Sequence, residues 1–202
     1  MKKHLMTMAM AMMLVVPSAL QAKVQHLLPK PQQITATENV AAFTLSGSVT
    51  INYSGGAEKC ALLEEFFTGN RCTLAQSSGK TVNVSLVESI DGAYDYQLYG
   101  YDNEAYTLTV TADAINITAV KPIGVIRAAQ TLTQMAEGWD GQAALEAVTV
   151  KDWPAFKLRG YMHDVGRSFI SIDELVKQVE LFSRFKVNTF HWHMTENQAW
   201  RF

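Results

Sequence analysis

The sequence lacks the composition of a nucleic-acid-binding protein or of a multi-thiolate metal protein. Lysine and arginine together number 17 against 19 aspartate and glutamate residues, which gives a net charge of −2. This balance offers no basic footprint for nucleic acid, which we exclude as a partner. Only two cysteines are present, so a zinc site made of several cysteine ligands is excluded as well. Residues 23–150 contain no internal repeat or low-complexity tract.

The apolar run near the amino terminus, Leu5–Val16, is too short to cross a bilayer, which requires about 20 residues. Lys2 and Lys3 precede this run and the small residue Ala22 follows it, a pattern typical of a secretory signal peptide. We therefore expect residues 1–22 to be removed, and the protein to be exported to the periplasm or the extracellular space without a membrane span. Without Lys2 and Lys3, 15 basic residues remain against 19 acidic ones, a net charge of −4.

The two cysteines, Cys60 and Cys72, leave two alternatives open. Export to an oxidising compartment makes a disulfide between them possible. Two free, partly buried thiols are the other alternative, because the sequence does not reveal whether the geometry suits a bridge.

Three triplets match the acceptor pattern for N-glycosylation, beginning at Asn52, Asn83 and Asn116. All three fall in strand-like runs, and the leader resembles a bacterial one. We therefore interpret the matches as coincidence.

Residues 23–150 are predicted to form one α+β domain in which helices cover a sheet. Short β-branched or alternating runs predict the strands, and apolar residues at helical spacing predict the helices. The hairpin is expected to turn near Ala112-Asp113, and the second helix to begin at Pro122 and to end at Gly138. The predicted elements are strands Val49–Tyr53 and Val82–Val87, a helix around Ala57–Phe67, and a hairpin of Tyr106–Val110 with Ile115–Ala119.

The last 52 residues, 151–202, predict a strand, a helix and a second strand. Phe156–Met162 is short, aromatic and apolar, and Val187–Met194 is rich in β-branched and aromatic residues. Between them, Ser171 and Glu174 have the spacing of a capping box. An apolar face at helical spacing follows, made of Ile172, Leu175, Val176, Val179, Phe182 and Phe185. The connection from this helix to the second strand is short, which predicts a parallel βαβ unit.

Four motifs in this segment resemble a known family. Arg159-Gly160 and the Asp-x-x-Arg of Asp164–Arg167 lie on and after the first strand. The His-x-His of His191–His193 and the Gln-x-Trp-Arg of Gln198–Arg201 lie on and after the second. Together they are similar to the start of the catalytic domain of family-twenty glycoside hydrolases, the β-N-acetylhexosaminidases. Residues 23–150 would then be the N-terminal domain of the hexosaminidase type, and 151–202 the start of a (β/α)8 TIM barrel. Such a barrel needs about 250 residues, so we expect it to be truncated here.

The resemblance implies the removal of terminal N-acetylhexosamine from glycans, with a glycan as the partner and no cofactor. The acetamido oxygen of the sugar would attack its own anomeric carbon while an Asp-Glu pair orients and protonates. That pair follows a later strand in the family, so we expect it beyond Phe202 and assign no catalytic residue in this chain. Asp173-Glu174 are the only Asp-Glu neighbours, and the first turn of a helix gives them a structural role. The chain alone is expected to be inactive.

Arg159 is the residue to which the resemblance assigns substrate binding, because a guanidinium suits a pair of neighbouring sugar oxygens. The alternative is a structural ion pair, for example with Asp164. Asp164 and Arg167 have the spacing for a local pair that shapes the first loop. Trp192 and Trp200 could stack on a sugar face, although large aromatic residues in a barrel more often belong to the core.

Two rival functions remain. Alternate residues of a strand face the same way, so His191 and His193 could bind one metal ion in a metal-dependent barrel hydrolase. That hypothesis requires further ligands downstream, and we favour packed, hydrogen-bonded histidines with no metal. The second rival is a non-catalytic, secreted carbohydrate-binding module, which would require a self-contained fold before Phe202.

Overall fold

The computed structural model of the protein describes residues 26–36, 41–93, 103–136, 144–197 and 199–200. The predicted signal peptide, the predicted helix end at Gly138, and Gln198 and Arg201 lie outside the described residues. In the described parts, no helix has both the length and the apolar character needed to cross a membrane. The elements, in chain order, are strands β1 (Gln33–Ala36), β2 (Phe43–Thr44) and β3 (Gly47–Ser54), helix α1 (Ala61–Gly69), strands β4 (Cys72–Leu74), β5 (Lys80–Leu86), β6 (Tyr106–Val110) and β7 (Ala114–Ala119), helix α2 (Pro122–Ala136), strands β8 (Ala144–Leu145), β9 (Val148–Asp152) and β10 (Gly160–Asp164), helix α3 (Ile172–Arg184), and strands β11 (Thr189–His193), β12 (Thr195–Glu196) and β13 (Ala199–Trp200).

A seven-stranded mixed sheet dominates the first part of the chain, with the order β1-β9-β6-β7-β5-β3-β4. Strands β4, β3, β5 and β7 run parallel, whereas β6, β9 and β1 pair antiparallel. The predicted hairpin of β6 and β7 is confirmed, and its turn is closed by the Thr111 amide donating to Ala114 O at 2.8 Å. Strand β9, which ends at Asp152, lies between β1 and β6 in this sheet.

The core lies on one face of this sheet because the strands alternate apolar and polar residues. Leu108 and Ile117 on central strands are fully buried, as are Phe67 of α1 and Leu132 of α2. Both helices belong to a single hydrophobic cluster with the strands. Helix α2 begins at Pro122 as predicted, since proline suits the first helical turn.

The opposite face of the sheet carries the three asparagines of the glycosylation-like triplets. Asn52, Asn83 and Asn116 are in register on the neighbouring strands β3, β5 and β7. The Asn52 amide donates to Asn83 Oδ1 at 3.0 Å, and the Asn83 amide donates to Asn116 Oδ1 at 2.9 Å. The recurring triplet therefore corresponds to a side-chain ladder across three parallel strands.

Helix α1 starts later than predicted, at Ala61 rather than near Ala57. Gly55 and Gly56 both have positive φ, and the Ala57 amide closes a turn onto Ser54 O at 3.0 Å. A left-handed turn of this kind cannot continue into a right-handed helix. Extended residues therefore separate the turn from the helix.

Cys60 and Cys72 are free thiols in the structure. Cys60 precedes α1 and is half-buried, whereas Cys72 opens β4 and is buried. Burial raises the pKa of both thiols, which lowers their reactivity as nucleophiles. Of the two alternatives, the structure has the unbridged one.

Strands β10 and β11 pair in parallel with α3 between them, as the βαβ pattern predicted. The first strand was predicted at Phe156–Met162, and this boundary is wrong because the strand is Gly160–Asp164. Arg159 Nη1 donates to Phe156 O at 2.7 Å and to Lys157 O at 3.2 Å, so the preceding backbone curves around the side chain. Phe156 is accordingly exposed.

The ends of α3 are set by local hydrogen bonds. Ser171 is the N-cap and accepts from the Glu174 amide at 3.3 Å, as predicted, but the Glu174 carboxylate binds Lys177 Nζ at 2.6 Å rather than completing the capping box. At the other end, the Val187 amide donates to Phe182 O at 3.3 Å. Strand β11 therefore begins at Thr189 rather than at Val187.

Helix α2 holds the carboxyl end of α3. Gln130 Nε2 donates to Ser183 O at 2.7 Å, and Gln134 Nε2 donates to Arg184 O at 2.8 Å. The last carbonyls of a helix have no intrahelical partners. Gln134 supplies a donor to Arg184 O, whereas Ser183 O accepts from both Gln130 and the Lys186 amide, the latter at 2.9 Å. This contact joins the seven-stranded sheet and its helices to the βαβ unit.

Candidate functional site

The two faces of the β10–β11 pair have different chemistry. Tyr161 of β10 packs on Phe182 of α3 with ring centroids 4.4 Å apart, which identifies the helix side of the pair. Successive residues of a strand point to opposite faces. Asp164 of β10 and His193 of β11, which are paired neighbours, therefore lie on the other face. His191 shares that face, as predicted, with its ring centroid 6.1 Å from that of His193.

Polar residues converge where β10 and β11 end. Arg167 Nε lies 3.2 Å from Asp164 Oδ2, and the Arg167 amide donates to Asp164 Oδ1 at 3.1 Å. The predicted Asp164–Arg167 pair is thus confirmed. Arg167 Nη2 also lies 2.5 Å from Glu196 Oε2, and His193 Nε2 lies 3.2 Å from the same oxygen. We call these four residues the strand-end cluster.

Within the strand-end cluster, Glu196 and Arg167 stabilise each other's charged form although both side chains are open to solvent. A side-chain hydrogen bond from Arg167 is the largest cause that lowers the pKa of Glu196, and the bond from the Asn197 amide lowers it further. The same pairing raises the pKa of Arg167. The guanidinium is 68% exposed, and it has five N–H donors, so donors remain for an oxygen-rich ligand beside the two carboxylates.

Gly166 allows the first loop to pack closely against Glu196. A Cβ at this position would lie 3.1 Å from both Asp164 Oδ1 and Glu196 Cβ, and 3.3 Å from the Glu196 amide nitrogen. Contacts of this length force a neighbour to move. The glycine is therefore part of the geometry of the strand-end cluster, although its backbone torsions do not require one.

The same cluster contains atoms of the types that bind metals. One ligand atom each from Asp164, His193 and Glu196 lies within 4.8 Å of the others. His191, which the metal hypothesis paired with His193, does not belong to this group. Arg167 already binds both carboxylates, so the site has a cation of its own that offsets one of their two negative charges.

Arg159, the predicted substrate-binding residue, lies at the opposite end of the strand pair. Its Nη2 pairs with Glu104 rather than with Asp164, and its Nε donates to Lys186 O at 2.8 Å. Together with the bonds from Nη1 to two backbone carbonyls, these contacts leave the side chain 15% exposed. A substrate contact by Arg159 stays a prediction, and it would require the guanidinium to leave these partners.

The two tryptophans are placed differently. Trp192 and Phe190 line an apolar groove of about 250 Å³ against Val176 and Val179 of α3, so Trp192 faces the helix side of the strand. Trp192 is therefore placed to pack against α3 rather than to stack on a sugar. Trp200 of β13 is 71% exposed.

Three functional or structural residues were not predicted: Glu196, Glu104 and Lys186. The position of Glu196 after a strand end was the signal for it, because parallel strands bring their carboxyl ends together. Glu104 binds Arg159 across 55 positions of the chain, and Lys186 binds Asp152 across 34. No local pattern reveals such long-range partners.

Comparison with known proteins agrees with this geometry. Residues 24–153 match the model of glycosyl hydrolase family 20, domain 2, and residues 156–202 match that of the glycosyl hydrolase family 20 catalytic domain. A β-hexosaminidase of Porphyromonas gingivalis is 31% identical over 189 residues, covering 87% of this chain and 23% of that protein. A β-hexosaminidase of Vibrio furnissii is 26% identical over 196 residues, covering 91% and 28%.

The solved structures include a GH20 exo-β-N-acetylglucosaminidase of Vibrio harveyi in complex with N-acetylglucosamine. It is 27% identical and superposes with a TM-score of 0.68, covering 88% of this chain and 27% of that one. This chain thus spans about a quarter of the length of the relatives it matches. From its domain matches, its fold and its strand-end motifs, the chain belongs to glycosyl hydrolase family 20.

Proposed function

We propose that this chain is part of a β-N-acetylhexosaminidase that removes terminal N-acetylhexosamine residues from glycans. The strand-end cluster is the observation that carries the proposal, because it places an exposed guanidinium and two carboxylates at the carboxyl ends of two parallel strands. Enzymes with parallel α/β architecture form their active sites at that edge. The β-hexosaminidase names of the relatives support the same reaction.

In this proposal, β10, α3 and β11 form the first βαβ unit of a (β/α)8 barrel. Their parallel pairing supports it, as does the separation of a helix-facing side with Tyr161 and Trp192 from a side with His191 and His193. The seven-stranded sheet with its helices would support the barrel through the bonds from α2 to the end of α3.

The proposed reaction is substrate-assisted and retains the anomeric configuration. The 2-acetamido oxygen of the sugar attacks the anomeric carbon, and an Asp-Glu pair orients the acetamide and protonates the leaving oxygen. Asp173 and Glu174, the only such neighbours in the sequence, lie in the first turn of α3, where Glu174 binds Lys177. The residues of this chain therefore supply binding rather than acid catalysis.

Arg167 is the residue best placed to bind the sugar. It lies at the carboxyl end of β10, is more exposed than Arg159, and is oriented from two sides by Asp164 and Glu196. A guanidinium fixed in this way can donate to neighbouring hydroxyls without a large loss of side-chain entropy. His193, bonded to Glu196, adds a second polar group to the same edge.

Export is the remaining part of the proposal. The basic, apolar and small-residue pattern of residues 1–22 supports a signal peptide and a periplasmic or extracellular location. Amino-terminal sequencing of the protein from the exported fraction should give a start near Lys23. Retention of Met1 on a soluble exported product would contradict this part.

The activity is tested with p-nitrophenyl N-acetyl-β-glucosaminide. A full-length protein that carries this sequence should release p-nitrophenol, whereas the 202-residue chain should not, because its one Asp-Glu pair is engaged on a helix surface. Turnover by the purified 202-residue chain, with contaminating enzyme excluded, would contradict the proposal. So would the absence of turnover by the full-length protein on both the glucosaminide and the galactosaminide.

A second candidate function, metal-dependent hydrolysis, is favoured by one observation, the proximity of Asp164, His193 and Glu196. It predicts that activity disappears on dialysis against a chelator and returns with Zn²⁺ or Mn²⁺. The glycosidase proposal predicts unchanged kcat/KM after the same treatment, because Arg167 rather than a metal is paired with the two carboxylates.

A further inference from the structure

A second polar site lies at the other end of the βαβ unit, in a cavity of about 250 Å³ between the sheet and the unit. Its floor includes Arg127, Lys186 and Arg159, and its apolar rim includes Pro29 and Phe156. Arg127 and Lys186 are each 6% exposed. The strand-end cluster lies at the opposite ends of β10 and β11 from this cavity.

Among the described residues, the charged side chains that line this cavity do not balance. Three cations, Arg127, Arg159 and Lys186, face two carboxylates, Glu104 and Asp152. Both arginines bind Glu104, and Lys186 Nζ lies 2.8 Å from Asp152 Oδ2. Lys30, which also lines the cavity, adds to the positive charge. A buried charge without a counter-charge is unfavourable, so an anion in the cavity would stabilise the cluster.

Hydrogen-bond donors remain on the two most buried cations. Arg127 donates from Nε to Glu104 and from Nη1 to Gln130, and its Nη2 has no partner among the described residues. Lys186 Nζ has three N–H donors, of which Tyr106 Oη and Asp152 Oδ2 occupy two. The cavity floor thus offers unused N–H groups from both a guanidinium and an ammonium group.

The electrostatics of Lys186 agree with a surplus of positive charge. Burial is the largest cause that lowers the pKa of its ammonium group, and the nearby guanidiniums of Arg127 and Arg159 lower it further, against the opposing effect of Asp152. The three cations therefore repel one another across the cavity despite their two carboxylate partners.

We propose that this cavity is a binding site for a small oxyanion, either inorganic phosphate or the carboxylate of a short organic acid. Either group can accept from Arg127 Nη2 and from the third N–H of the Lys186 ammonium group, which are the unused donors of the cavity floor. The volume of about 250 Å³ lies below the range of about 300–1,000 Å³ that is typical of sites for drug-sized ligands. It corresponds to roughly eight water molecules at about 30 Å³ each, enough for an oxyanion with part of its hydration.

Calorimetric titration of the purified protein with sodium phosphate, and separately with sodium acetate, at constant ionic strength tests the proposal. Saturable binding of one anion per chain is expected for at least one of the two probes. Asp152→Asn removes a negative charge while keeping the shape of the side chain, and it should tighten binding at least threefold. A gain in affinity cannot result from misfolding, so this variant keeps the test informative if others fail to fold.

Two further variants complete the experiment. Lys186→Met removes one of the cations that line the cavity and should weaken binding tenfold or more. Lys177→Gln, on the outer surface of α3, changes the net charge equally and should leave the affinity unchanged. The proposal is overturned if neither probe binds saturably, if Asp152→Asn does not tighten binding, or if Lys177→Gln weakens it as much as Lys186→Met does.

Discussion

Arg127 Nε and Arg159 Nη2 both donate to a single carboxylate oxygen, Glu104 Oε2. The three side chains come from helix α2, from the residue before β10 and from the residues before β6. One buried carboxylate therefore ties the seven-stranded sheet and its helix to the start of the βαβ unit. Asn188 Nδ2 lies 3.4 Å from the other oxygen, Glu104 Oε1, which extends the link to the residue before β11.

Glu104→Gln should destabilise the protein strongly. The substitution keeps the size of the side chain but leaves two buried guanidiniums without their counter-charge. Removing one partner of a buried ion pair costs about 3–5 kcal/mol, and chemical denaturation should show a loss of free energy of unfolding in this range. Glu174→Gln, which breaks the exposed pair with Lys177, is the control and should have little effect. Equal stabilities of the two variants would show that Glu104 does not hold the units together.

Lys186→Gly should also destabilise, although glycine suits the backbone there. Lys186 has φ 62°, a left-handed conformation that costs a non-glycine residue about 1–2 kcal/mol. Losing the ammonium group leaves Asp152 buried without a cation, at about 3–5 kcal/mol, so the loss exceeds the gain. Adding Asp152→Asn should restore more than half of the stability.

Arg71→Gly is the control for the backbone effect. Arg71 has φ 64° and is exposed, so glycine there should be neutral or stabilising by up to about 1 kcal/mol. If both glycine variants have the same free energy of unfolding as the wild type, the Lys186–Asp152 pair contributes no net stability.

Arg167→Gln should raise the pKa of Glu196 toward its ordinary value of 4.5, because the hydrogen bond from Arg167 is the main cause of its lowering. The pKa in the folded protein lies below that in the unfolded chain. The contribution of this pair to stability is therefore present above the unfolded-state pKa and is lost as the pH falls through the folded-state value. A ¹³C NMR titration of the Glu196 carboxyl carbon measures the shift. An identical titration curve in wild type and variant would contradict the pairing in solution.

Gly166→Ala should disturb the strand-end cluster without unfolding the protein. The new methyl group would press on Asp164 Oδ1 and on Glu196 at 3.1 Å, so the Arg167–Glu196 bond should lengthen and the pKa of Glu196 should rise. Gly79→Ala is the matched control, because no atom lies within 4 Å of its added Cβ. The packing argument fails if Gly166→Ala leaves both the Glu196 titration and the activity of the full-length protein unchanged.

Local sequence patterns predicted the three helices and six of the thirteen strands in the described residues, with the pairings of β6 with β7 and of β10 with β11. The order of the seven-stranded sheet was not predicted, because it depends on residues far apart in the chain. The alternation in β6 and β7 predicted the hairpin, and the Ser171 cap with its apolar face predicted α3. The boundary of β10 was wrong for a long-range reason. Arg159 folds the preceding backbone around a side chain whose partner, Glu104, lies 55 positions away.

The same distinction between local and long-range contacts explains why the candidate site was predicted only in part. The strand-end position of Asp164 and the spacing to Arg167 are local, and both were recognised. The contribution of Glu196 depends on the register of β10 with β11, which a single sequence does not specify. The assignment of Arg159 to the sugar rests on a motif match and stays a prediction. Its partner in this structure, Glu104, lies 55 positions away and could not be predicted from a local pattern.

The central claim, that the sugar binds at the strand-end cluster, is tested most directly by kcat/KM for p-nitrophenyl N-acetyl-β-glucosaminide. The comparison is between Arg167→Ala and Arg159→Ala in a full-length protein that carries this sequence. We predict that Arg167→Ala lowers kcat/KM roughly tenfold or more, the loss expected for a charge-assisted contact, with an unchanged Tm. Arg159→Ala should instead lower the Tm, because it breaks the bond to Glu104. A loss of kcat/KM in Arg159→Ala at unchanged Tm, with Arg167→Ala fully active, would contradict the account.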